Sequence, residues 1–243
     1  MRILFLLVPL LLSLPAAAEP TEGKSTVDFS DTRRAYTRLP GEFDIRYESG
    51  MAAANKKLTE SSTRKLTASL HEIIAALPAH TRAEFHATTY FLMWGAPSPF
   101  GGLKSGMRYV TRGSSNPLHD PRWQGAIVIY SAENFSRLDA LWSKKALAHE
   151  MAHAWHLLHR KPKDPTIFGP WDAAMARGLY RDVLDYKGQT IANAYASHNQ
   201  LEYFAELSAA YFVGINYMPF DRKGLKAYDP AGYQMVEALW EVR

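Results

Sequence analysis

The spacing of apolar residues changes along the chain, and each spacing predicts a type of secondary structure. Residues 57–77 have apolar side chains at helical intervals, which predicts an amphipathic helix that ends near Pro78. Residues 95–106 are rich in Gly, Pro and Ser, which predicts a loop. Alternating patterns, or runs of aromatic and β-branched residues, predict strands over 43–47, 85–94, 107–111 and 126–130.

Helical periodicity prevails in the second half of the chain. We expect one helix to begin at Ser136, with Asp139 completing a capping box, and to end by Pro162. Its apolar stripe comprises Leu147, Met151, Ala154, Trp155 and Leu158. Further helices are predicted over 171–186, over 199–212, and from Asp229 or Pro230 to Trp240. Early strands and late helices, with no internal repeat, predict an α+β domain with a small mixed sheet followed by a helical C-terminal half.

Residues 1–18 have the features of a secretory signal peptide. A basic residue precedes a short apolar run, and three alanines form a cleavage pattern near Ala18. The alternatives are an N-terminal membrane anchor or a buried helix. We expect a secreted or periplasmic protein with no stable membrane insertion after cleavage. Residues 19–57 are interpreted as a loose leader or a pro-segment, and residues 58–243 as the functional domain.

Composition limits the chemistry available to the mature protein. The 243-residue chain is 47% hydrophobic, which is enough for a globular core. Its formal net charge of +4 falls to about +3 without the single Arg of residues 1–18. Basic residues occur only in small groups, so we expect no nucleic-acid partner. The chain has no cysteine, so any bound metal must use His, Asp or Glu side chains.

The most specific functional motif is His149-Glu150-Met151-Ala152-His153. On a helix, His149 and His153 share one face, which points away from the apolar stripe. Two imidazoles at this spacing can bind one Zn²⁺. Glu150 lies between them in sequence and can reach a metal-bound water as general base. The alternative is a helix face that carries histidines into solvent.

A catalytic zinc site needs a third protein ligand. Glu202 and Glu206 are four residues apart on the predicted helix over 199–212, among mostly apolar neighbours. A carboxylate in such surroundings needs a cation or hydrogen-bond partners, which makes Glu202 the candidate ligand. Alternatively, Glu202 completes a capping box with Asn199, and Glu206 is an exposed surface acid.

His156 follows His149 by seven residues and lies near the same helix face. It is therefore an alternative ligand. It also stands where the metzincin motif requires Gly, which excludes that class. We expect His156 to line the pocket or to support a ligand side chain.

The run from Tyr195 to Glu206 resembles the third-ligand helix of the anthrax lethal factor peptidase domain. It is also similar to that of Pro-Pro endopeptidases and of bacterial Mlc titration factor peptidases. Together with the histidine motif, the resemblance covers roughly residues 140–215 and implies a zincin-like metallopeptidase domain. It departs at Ala152, where lethal factor and the Pro-Pro endopeptidases have Gly and the titration factors have Ala. This departure weakens any expectation of Pro-Pro specificity.

The resemblance also implies roles for individual residues. Glu202 would be the third zinc ligand, Tyr195 would stabilise the transition state, and Glu206 would hydrogen-bond a ligand histidine. The implied function is an exported endopeptidase with one zinc per chain and a peptide or protein substrate. The alternatives are a zinc-stabilised binding or regulatory protein without turnover, and a hydrolase of cell-wall peptide cross-links. The sequence leaves the oligomeric state open.

One predicted strand precedes the motif helix and is a candidate for the substrate cleft. It comprises Ala126, Ile127, Val128, Ile129 and Tyr130. As an edge strand, it would pair with an extended peptide substrate. The alternative is an ordinary buried strand.

Overall fold

The computed structural model describes residues 27–102 and 104–242, so the predicted signal peptide lies outside the described residues. The strands are β1 (Tyr36–Arg38), β2 (Asp44–Glu48), β3 (Thr89–Leu92), β4 (Met107–Val110), β5 (Ala126–Ile129), β6 (Arg181–Leu184) and β7 (Thr190–Asn193). The helices are α1 (Ser49–Ala54), α2 (Lys56–Ala76), α3 (Arg82–Ala87), α4 (Ala132–Arg137), α5 (Ala140–His159), α6 (Pro165–Ala176), α7 (Gln200–Phe212), α8 (Arg222–Tyr228) and α9 (Pro230–Leu239). Short 3₁₀ turns occur at Ala79–Thr81, Pro121–Trp123 and Tyr195–Ser197.

Five strands form one mixed sheet in the order β1-β2-β3-β5-β4, and β6 pairs with β7 separately. The neighbours β2, β3 and β5 run parallel, whereas β1 and β4 pair antiparallel at the two edges. The helices α5 to α9 all follow the last strand of this sheet. The predicted α+β fold, with a small mixed sheet followed by a helical C-terminal half, is therefore confirmed.

The two faces of the sheet pack against different layers. Tyr90 and Ile127 belong to the larger core, which also contains Leu70 of α2 and Leu147 of α5. The opposite face, which includes Val128, packs in a smaller cluster with the aromatic rings of Phe29 and Trp123. Because successive residues of a strand point to opposite faces, a strand covered on both sides has no exposed position. Helix α5 packs against the sheet near β4.

The predicted edge strand at residues 126–130 is wrong, and its alternative, an ordinary buried strand, is confirmed. Strand β5 lies between β3 and β4, and all four of its residues are buried. A continuous apolar run is typical of a strand covered on both faces. The edge next to β5 is formed by β4, in which Arg108 is exposed.

Two other predicted boundaries are wrong, one of a strand and one of a helix. Phe85 lies in α3 rather than in a strand, since a buried aromatic ring fits a helix as well as a strand. The helix predicted to continue to Tyr186 ends at Ala176. Gly178 follows with a positive φ of 71°, a backbone conformation that commonly ends helices. Strand β6 then occupies the region that was predicted to be helical.

The N-terminus of α5 also differs from the prediction. Ser136 belongs to α4, and Asp139 is the N-cap of α5, accepting a hydrogen bond from the Trp142 N–H at 2.8 Å. The two residues therefore do not form one capping box. The C-terminal end agrees with the prediction, because α5 ends at His159, before Pro162.

The described part of the predicted leader belongs to the folded domain. Residues 27–57 supply β1, β2 and α1, and β2 pairs with β3 within the sheet. The buried Arg34 side chain donates a hydrogen bond to Glu48 at 3.0 Å. A domain boundary at residue 57 is therefore wrong for the described residues. None of the helices in residues 27–102 and 104–242 is long and apolar enough to cross a membrane.

Candidate metal centre

Helix α5 is buried both along its apolar stripe and on the side that contains His149. Leu147 and Met151 lie in the core as predicted, but Leu158 is 38% exposed and lies outside it. On the histidine side, His149 is only 6% exposed because α7 packs there, with Glu202 against the imidazole. The alternative of a histidine face in solvent is therefore wrong for His149.

Helix α7 presents two carboxylates to α5. Asn199 caps the helix with its side-chain oxygen, which leaves the Glu202 side chain free to point elsewhere. Glu202 Oε2 lies 2.9 Å from His149 Nε2 and 3.2 Å from His153 Nε2. Glu206, one turn later, is 1% exposed, so the surface-acid alternative is wrong. Among the described residues, the Glu202 carboxylate thus contacts histidines rather than completing a capping box.

The three predicted ligand atoms form a small triangle. The two Nε2 atoms of His149 and His153 are 3.0 Å apart, and Glu202 Oε2 completes the triangle at 2.9 and 3.2 Å. Ligands at 2.0–2.1 Å from a tetrahedral zinc ion lie about 3.3 Å from one another. The two imidazole planes are 84° apart, so the rings approach the same point from different directions. This group could hold a metal ion, and its donor atoms and spacing fit zinc.

The electrostatics of the triangle favour a cation. Burial raises the pKa of Glu202, but hydrogen bonds from His149 and His153 outweigh burial and hold that pKa well below its usual range. Burial lowers the pKa of His149, but hydrogen bonds to Glu202 and Glu206 outweigh burial and raise it to about 10. Without a metal, the two carboxylates therefore favour a positively charged His149.

Glu206 supports His149 from behind. Its Oε1 lies 2.8 Å from His149 Nδ1. Its Oε2 accepts a hydrogen bond from Tyr217 Oη at 2.6 Å and forms an ion pair with Lys145 Nζ at 3.1 Å. Burial raises the pKa of Glu206, but the Lys145 charge and the hydrogen bonds outweigh burial and lower it to about 2. A ligand histidine bonded in this way has a fixed ring orientation and directs Nε2 toward the other ligands.

Glu150 has a different environment from the ligands. Its Oε2 accepts a hydrogen bond from the Tyr109 backbone N–H on edge strand β4 at 2.6 Å. Burial raises the pKa of Glu150, while His149 and His153 and the Tyr109 N–H act in the opposite direction. A carboxylate with a raised pKa is suited to accept and return a proton near neutral pH. The pKa values of Glu150 and Glu202 are therefore shifted in opposite directions, although the two carboxylates lie beside the same histidines.

Tyr195 lies next to the ligands, whereas His156 lies apart from them. The Tyr195 ring is in the 3₁₀ turn that precedes α7, 5.5 Å from the His149 ring between centroids. His156 is buried, with its Nε2 3.0 Å from the Lys161 carbonyl oxygen and its ring against Phe204. Its Nδ1 has no hydrogen-bond partner among the described residues. The structure does not support His156 as a ligand or as a partner of a ligand side chain.

Sequence reasoning missed Lys145, Tyr217 and the Tyr109 N–H. A signal existed for Lys145, which is one turn before His149 and therefore on the same helix face. Tyr217 follows α7 by five residues in an irregular segment, and a backbone N–H carries no sequence signature. Strand β5, which was predicted to line the cleft, is separated from the open edge by β4.

Comparison with protein-family models and with curated proteins gives no match to this chain. The resemblance to the lethal factor, Pro-Pro endopeptidase and titration factor group therefore stays a prediction.

Proposed function

We propose that this protein is an exported zinc-dependent endopeptidase of the zincin type. The observation that carries the proposal is the convergence of His149 Nε2, His153 Nε2 and Glu202 Oε2, at mutual distances of 2.9–3.2 Å. Among the described residues this group supplies three ligands, and a catalytic zinc needs three together with an open position. A structural zinc site would have four protein ligands, so this ligand count favours catalysis over a purely stabilising metal.

Each residue around the triangle has a chemical task in amide hydrolysis. Zinc, when bound, supplies Lewis acidity that activates a water molecule and polarises the scissile carbonyl. Glu150 takes a proton from the attacking water and returns it to the leaving amine, which requires the raised pKa that burial gives it. The Tyr195 hydroxyl donates a hydrogen bond to the oxygen that becomes negative. Glu206 keeps the His149 ring in place.

The peptide substrate binds beside β4 in this proposal. Strand β4 is the edge of the sheet nearest the motif helix, and its Tyr109 N–H contacts Glu150 directly. An extended peptide that adds to this edge would lie across Glu150 and the ligand triangle. The role proposed for residues 126–130 thereby passes to residues 107–110.

The decisive experiment combines metal analysis with a substrate screen. We expect about one zinc per wild-type chain by plasma mass spectrometry, and loss of zinc in Glu202→Ala, because a three-ligand site loses a donor. Glu206→Ala should lose less zinc, since Glu206 contacts only His149 among the ligands. A wild-type protein without zinc after supplementation would contradict the proposal.

Turnover is tested on a peptide library and on purified cell-wall peptides with the matched variant Glu150→Gln. We expect Glu150→Gln to keep zinc and to lose activity, because its amide cannot accept the proton. Release of cross-link peptides alone would identify a cell-wall hydrolase. Zinc binding without turnover in either assay would identify a regulatory or binding protein.

A further inference from the structure

Tyr217 lies in a buried hydrogen-bond network behind the ligand triangle. Its hydroxyl donates to Glu206 Oε2 at 2.6 Å and accepts from the Ala196 backbone N–H at 3.3 Å. The Tyr217 side chain is fully buried, in the segment between α7 and α8. One hydroxyl group therefore joins two features of the site: the carboxylate that holds His149, and the turn that carries Tyr195.

The hydrogen bond from Ala196 acts on the turn directly. Ala196 follows Tyr195 in the sequence and is itself fully buried. A buried backbone N–H without a partner is destabilising, so the turn would shift or open if this acceptor were removed. The Tyr195 ring, 5.5 Å from His149, would move with it.

Lys145 supports the same network from α5. Its Nζ lies 3.1 Å from Glu206 Oε2 and 2.9 Å from Asn216 Oδ1, and 5.0 Å from the centre of the Tyr217 ring. Lys145 is only 4% exposed, so its charge is balanced mainly by this carboxylate. The lysine thereby ties the motif helix to the segment that contains Tyr217.

We propose that Tyr217, supported by Lys145, is a positioning residue for both halves of the site. Through Glu206 it sets the orientation of His149, and through Ala196 it sets the placement of Tyr195. This inference rests on the proposed zinc peptidase function. Tyr217 and Lys145 both contact Glu206 Oε2, which leaves Oε1 directed at His149 Nδ1. This contact keeps His149 Nε2 in the ligand triangle.

The test compares Tyr217→Phe with Tyr180→Phe. Both tyrosines are fully buried, and the Tyr180 hydroxyl donates at 2.9 Å to the buried Asp229 rather than to Glu206. Each variant therefore loses one buried hydroxyl that is bonded to a carboxylate. Comparable shifts of the urea-unfolding midpoint to lower urea are expected for the two variants.

Only Tyr217→Phe should change the site. We expect its zinc Kd, measured by chelator competition, to rise about 10–100-fold. At saturating zinc its kcat should fall about tenfold or more with little change in KM, because Tyr195 is displaced. In the zinc-free protein, amide exchange at Ala196 should accelerate, which reports the lost hydrogen bond without any metal or substrate.

The outcomes separate this inference from the function on which it rests. If Tyr217→Phe matches Tyr180→Phe in zinc affinity, kcat and Ala196 exchange, the positioning role is overturned and the peptidase proposal stands. If the wild-type protein binds no zinc, the proposed function is overturned and this inference falls with it.

Discussion

At the residue scale, His149 is distinguished by having a carboxylate at each ring nitrogen. Glu206 lies 2.8 Å from Nδ1 and Glu202 lies 2.9 Å from Nε2. In the zinc-free protein these two acids favour the imidazolium form, and a bound metal requires the neutral ring. A proton and a divalent cation therefore compete for the same nitrogen.

This competition predicts that zinc affinity rises with pH. The folded-state pKa of His149 is raised from 6.5 to about 10. Because folding raises this pKa, protonated His149 stabilises the zinc-free fold fully below about pH 6.5, and that contribution is lost as the pH rises through about 10. Zinc must displace this proton, so its apparent Kd should fall by up to about tenfold per pH unit between pH 6.5 and 8.5.

Chelator competition at each pH, with the chelator's own pH dependence subtracted, measures this slope. Glu206→Gln is the control, because it removes one of the acids that raise the pKa of His149 and should flatten the dependence. A Kd that is independent of pH in the wild type would show that no proton is displaced.

The individual residues of the site differ in how far the sequence could predict them. His149 and His153 were predicted from local spacing, because a helix brings residues four apart to one face. Glu202 needed the further argument that a third ligand was required. Lys145 and Asn216 are 71 residues apart, and their contact depends on how α5 and the segment after α7 pack together. Local patterns contain no information about that packing.

At the element scale, two helices with clear periodicity were predicted correctly, whereas the short helix α3 was predicted to be part of a strand. The 21-residue α2 and the 13-residue α7 have enough turns for an apolar face to be visible. Helix α3 has six residues, so Phe85 could equally indicate a strand. The order of β4 and β5 in the sheet is a property of the tertiary fold, and no pattern within either strand determines it.

The cap of α5 gives a testable consequence at this scale. Asp139 accepts a hydrogen bond from the Trp142 N–H at 2.8 Å, whereas the Ser136 hydroxyl donates to the Glu133 carbonyl within α4. We expect Asp139→Ala to lower the free energy of unfolding by about 0.5–2 kcal/mol, since it leaves a helix N–H without its cap.

Ser136→Ala is the matched control and should lower the free energy of unfolding by about 0.5 kcal/mol or less. The Ser136 hydroxyl bonds a backbone carbonyl of its own helix, and such a bond adds little to helix stability. Urea unfolding followed by circular dichroism measures both variants. Equal losses would restore Ser136 to the capping role that the sequence predicted.

At the scale of the whole molecule, the described residues 27–57 are part of the domain that contains the site. The predicted leader was expected to be loose because residues 19–41 are polar. The structure shows why this composition was misleading: Arg34 and Glu48 are buried together, and each is only 1% exposed. Arg34 also donates hydrogen bonds to Ser98 Oγ at 3.2 Å and to the Phe100 carbonyl at 3.0 Å. A buried ion pair makes polar residues part of a core, which hydropathy alone does not reveal.

This architecture predicts that one arginine in the predicted leader controls global stability. Arg34→Met leaves the buried Glu48 carboxylate without its cation and should cost about 3–5 kcal/mol of unfolding free energy, a large part of the total for a domain of this size. Arg33→Met is the matched control, because the neighbouring Arg33 side chain is 83% exposed and pairs with Asp31, so little change in unfolding free energy is expected. Adding Glu48→Gln to Arg34→Met should recover part of the loss, since the uncompensated charge is then removed.

If the segment were a detachable leader, Arg34→Met would leave the unfolding midpoint and the zinc content of the protein unchanged. A coupled loss of both would instead show that β1 and β2 hold the sheet against which α5 packs, the helix that contains His149 and His153.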